Sequence, residues 1–546
     1  VEVKAIYMTK RLVYLIVGTI VIIACIMVFL PSRTPLAKVS PSVHCIPAWT
    51  ACLPATRPQE PNTYDVIIVG GGFGGLSCGA LLARDGYHVL VLEKNDQVGG
   101  YGANDLVNRY IFSYGAQDIS GVWDRGCVTY LLRNLNMNEQ TLLVRNDRRF
   151  ILNGEAIDIP AIDNGVEKVL SDRFPGQAEA VHAFFADAHQ VYVEAFDADV
   201  IREWGIPLRK ELLTKTMSEE WLQTYSNRHA HMEQWKQKTY KSVLDEYFQN
   251  EEIKAVLCNM LGYIGASASK NSAFNVIIAS GYLFFGGYHI LGGSQHLADS
   301  LAKYISEHHG AVLYQHRVDT IIVKDEAVQG VGVGKQIFKA PVVVSNVNAK
   351  TLYLTLIPET QLPQQFRNEI QELPEGGSAF LVFAGASQVF PTYPAVISDI
   401  DHRVHIINNS HADPSMAPLG TTSITIIQNA THKDFPSPHS IGYDSKTSAL
   451  KNETIEKASL SLPGLRSHLV CSKIVAPRDL QEFTCIPQGA IYCFDESSVQ
   501  SRPYFKSPIR GLYLANASSA GGGVEAVIIG GITCKHDITG WKKQKS

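Results

Sequence analysis

Apolar residues fall mostly into short runs broken by glycine and proline, and one run is far longer than the others. Leu12 to Leu30 (LVYLIVGTIVIIACIMVFL) carries no charge. As a helix it rises about 28 Å, close to the roughly 30 Å hydrocarbon core of a bilayer. Prolines at 31, 35, 41, 47, 54, 58 and 61 then make residues 31–61 an extended tether. Beyond it, Tyr64 to Val69 is short, apolar and β-branched, the pattern of a strand buried on both faces. Small and apolar residues over Leu76–Arg84 predict a helix, ended by Gly86 in the left-handed conformation, and His88–Leu92 predicts a second strand. Later, Val181–Ala188 and Tyr240–Phe248 show helical spacing, and Ser423–Ile427 reads as a strand.

The apolar run fits either a retained anchor or a cleaved secretory signal. Ile22-Ile23-Ala24-Cys25 has lipobox-like spacing, but five apolar residues follow Cys25, which favours a single-pass membrane anchor. Lys4, Lys10 and Arg11 before the run are balanced by Arg33, Lys38 and Arg57 after it, so the side of the membrane is open. The chain begins with Val1, and Met8 is an alternative start.

At 546 residues the chain is too long for one core, so more than one lobe is expected. Its 48 basic and 52 acidic residues give no electrostatic footprint for nucleic acid. No C-x-x-C pair occurs among the cysteines, which argues against a zinc ribbon or redox dithiol. Cys45 and Cys52 would pair only in an oxidising compartment. His308-His309 and His289/His296 lack a supporting carboxylate cluster, so no metal is expected. Neither G-x-S-x-G nor H-E-x-x-H is present.

The strongest chemical signal is Gly70-Gly71-Gly72-Phe73-Gly74-Gly75, which matches G-x-G-x-x-G at 70, 72 and 75 between the first predicted strand and helix. Gly70 makes the tight turn, Gly72 lets backbone approach a pyrophosphate, and Gly75 allows close helix–strand packing. The helix N-terminus offers unpaired N–H groups to the phosphates. Glu93 ends the second strand eighteen residues past Gly75, placed to accept hydrogen bonds from a ribose diol. Gly330-Val331-Gly332-Val333-Gly334-Lys335 lacks phosphate-loop spacing and reads as a strand flanked by turns.

Tyr64 to Gly102, ending Glu93-Lys94-Asn95-Asp96-Gln97-Val98-Gly99-Gly100, resembles the N-terminus of FAD-dependent enzymes. More narrowly it resembles the phytoene desaturase, carotenoid isomerase and retinol saturase group. Tyr288 to Leu297 resembles that group's aromatic-x-x-x-Gly-Gly segment and following helix. His316 to Ile321 resembles its adenine-side strand, with the Val318 backbone at the base. Val342 to Asn346 resembles its closing strand. Gly511 to Ala517, followed by Gly521-Gly522-Gly523-Val524, resembles the second flavin motif, though Asn516 stands where the group often has Gly or Asp, in a segment one residue shorter. The recognisable motifs cover roughly 62–135, 280–350 and 505–540.

The resemblance implies an α/β fold: an FAD-binding Rossmann-like domain of the two-dinucleotide-binding type, with an inserted α+β substrate lobe behind an N-terminal transmembrane helix. The expected parts are the anchor or signal (12–30), the linker (31–61), three FAD-domain pieces (62–135, 281–350, 505–541) and two substrate-lobe pieces (136–280, helix-rich, and 351–504). FAD-binding residues implied are Gly70, Gly72, Phe73, Gly74, Gly75, Glu93, Lys94, Gly99, Gly100, Val318, Asn516, Gly523 and Val524. No catalytic side chain is singled out. The activity implied is desaturation, saturation or isomerisation at a carbon–carbon double bond of a hydrophobic polyene, isoprenoid or long-chain lipid, with a quinone or NAD(P)H as electron partner. Alternatives are a flavin amine or amino-acid oxidase and a non-catalytic lipid-binding escort protein; the intact glycines and Glu93 weigh against the last. The aromatic stretch Tyr282–Tyr288 faces either a lipid or the core. Asn408, Asn429, Asn452 and Asn516 each begin a glycosylation triplet.

Overall fold

A computed structural model describes residues 62–195, 223–224, 227–259, 267–438, 440–495 and 502–540. The apolar run 12–30, the linker 31–61, Cys45 and Cys52 lie outside them. Among the described residues no helix is long and apolar enough to cross a membrane.

The chain's first β-branched run forms the centre of a five-stranded parallel sheet. Its strands are β1 (Val66–Val69), β2 (Val89–Leu92), β3 (Ala311–Leu313), β4 (Val342–Ser345) and β5 (Leu512–Leu514), in the spatial order β5-β4-β1-β2-β3. Val66 lies opposite both Val342 and Val89, so segments far apart in sequence share one register. Successive side chains alternate between two cores. Val66, Ile68, Val89, Val91, Val342 and Val344 pack on the side of α1 (Phe73–Arg84), α2 (Ser294–Glu307) and α3 (Val524–Ile538). Ile67, Val69, Leu90, Leu92, Val343 and Leu512 pack with Ile321, Val331 and Phe338 of an antiparallel three-stranded sheet, Thr320–Lys339. Helices on one face and a small sheet on the other bury β1 completely.

Helix α1 begins at Phe73, three residues before the predicted start. Gly72 is its N-cap, and the Leu76 N–H already donates to the Gly72 carbonyl at 2.9 Å. Gly86 ends it as expected, at φ +89°. Gly330–Gly334 lies in the strand Ala327–Val333 and the turn after it.

The adenine-side strand expected over His316–Ile321 requires correction. Residues 316–319 are not in a ladder, and the strand begins only at Thr320. Here the chain leaves β3 for the small antiparallel sheet, and its backbone bonds go instead to the end of β2: Gln315 N–H to Asn95 O at 2.9 Å and His316 N–H to Glu93 O at 2.8 Å.

A second, seven-stranded sheet runs in the order Leu469–Val475, Ser378–Ala386, Thr422–Ala430, Val404–Asn408, Val396–Asp399, Arg148–Leu152 and Glu155–Ile159. Its neighbours are antiparallel except Val396–Asp399 with Arg148–Leu152. One face packs Phe380, Val382, Ile406, Ile424 and Ile426 against Ile455 and Ala458 of the helix Tyr443–Ser461. The opposite face, bearing Ala379, Leu381 and Ile427, turns toward the five-stranded unit. Helix Ala178–Ala195 extends the core on the α1 side of the parallel sheet through Phe184, Phe185 and Tyr192. Tyr282, Leu283 and Phe284 are buried in that core, and Phe285 stacks on Trp123 at 4.6 Å, so this stretch packs the interior.

Candidate functional site: a glycine cradle opening onto a sheet

One cavity, about 2080 Å³ of empty space with open solvent included, joins the ends of the parallel strands to the second sheet. Gly70, Gly72, Phe73, Gly74, Glu93, Lys94, Gly99, Gly100, Val318, Asn516, Gly523 and Val524 all line it. Gly75 is the expected site residue outside this lining. A Cβ there would lie 2.7 Å from the Gly70 carbonyl oxygen and 2.8 Å from Ile68 Cγ2, which is the helix–strand packing role read from its spacing.

Backbone geometry explains the glycine run. Gly70 turns out of β1 at φ +94°, a conformation L side chains rarely adopt. At Gly74 a Cβ would sit 2.1 Å from the Ala515 carbonyl oxygen, so the start of α1 closes directly on the turn after β5. Gly71 and Gly99 join by backbone: Gly99 N–H donates to Gly71 O at 2.7 Å. The two glycine motifs are thus one wall.

Glu93, expected at a ribose, is tied into the loop around it. Its Oε2 accepts from Gly71 N–H at 2.7 Å and its Oε1 from Asn95 N–H at 2.9 Å. Burial raises its pKa, with these two N–H donors and Lys94 opposing. A carboxylate oxygen has lone pairs for a second donor each, so the diol remains a compatible partner. Lys94 lies at the mouth, its Nζ donating to Phe483 O at 2.6 Å.

Asn346, beyond β4, was not singled out in the sequence, and it holds the cradle together. Its Oδ1 accepts from Gly72 N–H at 3.0 Å and its Nδ2 donates to Ala515 O at 2.5 Å. Asn516 is similarly committed: Nδ2 donates to Val347 O at 2.6 Å while Oδ1 caps Ser518 N–H at 2.8 Å. Asn408 and Asn516 are buried, which excludes glycosylation of either in the folded chain. Asn452 is exposed, and Asn429 is exposed into the cavity.

Two buried carboxylates flank the cavity. Asp118 lines it and pairs with Arg148 at 2.9 Å, both side chains nearly solvent-free, while Asn146 Nδ2 donates to its other oxygen at 2.9 Å. This pair couples the loop carrying Asp118 to the seven-stranded sheet. Glu525 is the second residue of α3, next to the lining residue Val524. Ser120 Oγ donates to its Oε2 at 2.6 Å and the Tyr192 hydroxyl to its Oε1 at 2.8 Å. Burial pushes its carboxyl up to about 7, against those two donors. An acid two residues after a glycine run, followed by the apolar stretch Ala526–Ile532, was the available sequence signal.

His289 is buried, and His296 Nδ1 lies 2.7 Å from Leu291 O. His308 stacks on Tyr304 at 3.8 Å. The described residues contain no cluster suited to a metal ion.

A parallel sheet whose strand ends carry a glycine cradle, closed by a second motif at the C-terminus and opening onto an antiparallel sheet, defines an FAD-binding oxidoreductase. A family model for flavin containing amine oxidoreductases matches residues 73–534, and the chain belongs to that family. Among curated relatives it is 21% identical to a 4,4'-diapophytoene desaturase of Methylomonas sp., over 85% of this chain and 91% of the relative. It is 22% identical to all-trans-retinol 13,14-reductase of Danio rerio, over 87% of this chain and 86% of the relative. Against a chloroplastic prolycopene isomerase of Daucus carota the identity is 23%, over 87% and 80% of the two chains. Among solved structures, an oxidoreductase from Methanosarcina mazei matches with TM-score 0.60 at 17% identity, covering 86% of this chain and 99% of that one. A putrescine oxidase matches with TM-score 0.58 at 16% identity, covering 87% and 99%. At these identities the solved structures speak to fold alone.

Proposed function

We propose that this flavoenzyme desaturates, saturates or isomerises a carbon–carbon double bond of a hydrophobic polyene, isoprenoid or long-chain lipid. The observation that carries the reading is continuity: the glycine cradle and an apolar sheet face formed by Ala379, Leu381, Ile407 and Ile427 line the same cavity. FAD bound there supplies two-electron chemistry at carbon. The cradle fits that group, because a Cβ would meet the Val98 side chain at Gly71, the Asn346 side chain at Gly72 and the Ala515 carbonyl at Gly74, so glycine alone leaves the backbone bare along this cavity wall.

The protein's own contribution is to bind, orient and exclude water. Gly70 to Gly74 and the first turn of α1 present backbone to the pyrophosphate. Glu93 fixes the loop through Gly71 and Asn95 and would hold the ribose of bound FAD. The sheet face supplies hydrocarbon surface along which an extended chain gains about 25 cal/mol per Å² buried. An amine substrate fits less well. The carboxylates lining the cavity are Glu93, engaged by backbone N–H groups, and Asp118, paired with Arg148, so neither is an unengaged partner for an ammonium.

The relatives named for desaturase, reductase and isomerase activities on polyenes support this substrate class. Residues 12–30 anchor the enzyme in a bilayer, where such a substrate dissolves, and either a quinone or NAD(P)H serves as electron partner. The test is anaerobic incubation of the FAD-loaded protein with a polyene, with the flavin left oxidised in one sample and chemically reduced in the other, followed by mass and isomer analysis. A gain or loss of two hydrogens, or an isomer shift, supports the reading. Unchanged polyene together with hydrogen peroxide release on adding amines and air would replace it with the oxidase reading. Bleaching of the flavin by NADPH would assign the electron partner.

A further inference from the structure

The loop 114–120 lies between the two glycine motifs and is bonded to both. Tyr114 N–H donates to Ala103 O at 3.1 Å, just past the Gly99-Gly100 pair, and Ser120 Oγ donates to Glu525 Oε2 of α3 at 2.6 Å. Ile119 exchanges backbone bonds with Tyr288, 2.9 Å each way, which holds the loop from a third side. Gly115, Ala116, Gln117 and Asp118 form its stretch of cavity wall.

Gln117 brings an open acceptor to that wall. It is only 8% exposed, and its Nε2 donates to Ser113 O at 2.9 Å. A backbone carbonyl only accepts, so this bond fixes which end of the amide is nitrogen. The other end, Oε1, meets no donor among the described residues. Nor is it sealed inside protein, as the orphan Asn348 Nδ2 is. Asp118, the next residue, has both oxygens engaged, one by Asn146 and one by Arg148. An amide oxygen held in a nearly buried wall without a donor costs stability, and a ligand that brings an N–H or O–H removes the cost.

Helix α3 supplies the complementary half. Val527 N–H donates to Gly523 O at 3.2 Å, so the N–H groups of Val524, Glu525 and Ala526 precede the helical ladder. One end of the cavity thus offers donors from a helix start and one acceptor from Gln117. The pyrimidine edge of a flavin ring matches that set, being a single N–H flanked by two carbonyls. The other donors of FAD are the sugar and ribityl hydroxyls and the adenine amine, none of them flanked by two carbonyls. We propose that Gln117 is a cofactor-binding residue whose Oε1 accepts a hydrogen bond from the imide N–H of the flavin ring. The inference rests on the FAD assignment and does not depend on the polyene reading.

The test compares FAD with N3-methyl-FAD, which lacks that one donor. Full-length protein is stripped of flavin in detergent and titrated with each, following the flavin absorption bands. Wild type should bind FAD about tenfold more tightly, the loss expected when a buried acceptor faces a methyl group instead of a donor. Gln117→Leu keeps the bulk of the side chain and removes the acceptor. It should bind FAD about tenfold less tightly than wild type and prefer FAD over the methyl analogue by about twofold or less. The melting temperature of the stripped variant checks that it is folded. Equal binding of the two flavins by wild type overturns the inference, and that arm needs no variant. So does a preference that persists undiminished in Q117L, because crowding of the methyl group alone would give that pattern. Failure of wild type to take up either flavin overturns the FAD assignment and the inference together.

Discussion

Replacing Glu525 by Gln alters stability in a pH-dependent way that follows from the burial of its carboxyl. In the unfolded chain Glu525 titrates near its ordinary 4.5, and in the folded protein near about 7. Below the lower value both states are protonated, and the group does not oppose folding. Between the two values the unfolded state loses its proton first, so stability falls as pH rises. Above the higher value both states are ionised and the full penalty applies. At about 1.4 kcal/mol per pH unit this amounts to roughly 3 kcal/mol, an upper figure because a buried site relaxes. Gln carries no such titration and approximates the protonated acid. One of its two hydrogen-bonding atoms becomes a donor, and the hydroxyl of Ser120 or Tyr192 can rotate to accept. The assay compares melting temperatures of wild type and E525Q from about pH 5 to about pH 8.5. For a chain of this size roughly 1 °C corresponds to 1 kcal/mol. E525Q should match wild type near the acidic end and melt roughly 3 °C higher at the alkaline end. Parallel curves, or a variant that loses ground as pH rises, would refute the reasoning.

Three further outcomes are expected. Gly74→Ala pushes a Cβ to 2.1 Å from the Ala515 carbonyl oxygen, and relief requires backbone to move; purified protein should lose most of its flavin and about 1–3 kcal/mol of stability, read from the flavin-to-protein absorbance ratio and a melt, and full flavin content would count against the cradle. Asp118→Asn leaves Arg148 buried without its charge partner and should cost about 3–5 kcal/mol, whereas D118L/R148M should recover much of that loss; equal losses in the single and double variants would show that the pair is not coupled. Deleting residues 1–61 should release the protein from membranes in a flotation assay while leaving FAD content intact, and continued flotation would move the membrane contact elsewhere.

What the sequence made legible is what local pattern encodes. The run Val66–Val69, Gly70–Gly75, a helix, Val89–Leu92 and Glu93 is contiguous, and each part signals itself by period or turn chemistry. Gly521–Gly523 opening α3 is of the same kind. The seven-stranded sheet was visible only in fragments, because its order depends on pairing between segments as distant as Arg148 and Val396. Asn346 looked like the end of a strand, and its two cradle bonds exist only because β4 lies between β1 and β5. His405 and Asn429 carry no local mark that they belong to one wall. They share a face through strand register, which no short motif records. The adenine-side segment erred in the other direction, since the family resemblance implied a strand from His316 while the backbone bonds of Gln315 and His316 tie it to the end of β2.

The central claim is oxidoreduction at a polyene double bond in the cavity that joins the cradle to the sheet, and the most direct measurement couples flavin to substrate. FAD-loaded protein is chemically reduced under anaerobic conditions and mixed with a polyene, and separately left oxidised and mixed with the same polyene. The account predicts that one of the two flavin spectra changes in step with the polyene's own absorption, or that the polyene isomerises only when flavin is bound. A flavin spectrum and a polyene that both stay unchanged in either state, across alcohol and hydrocarbon polyenes alike, would contradict it.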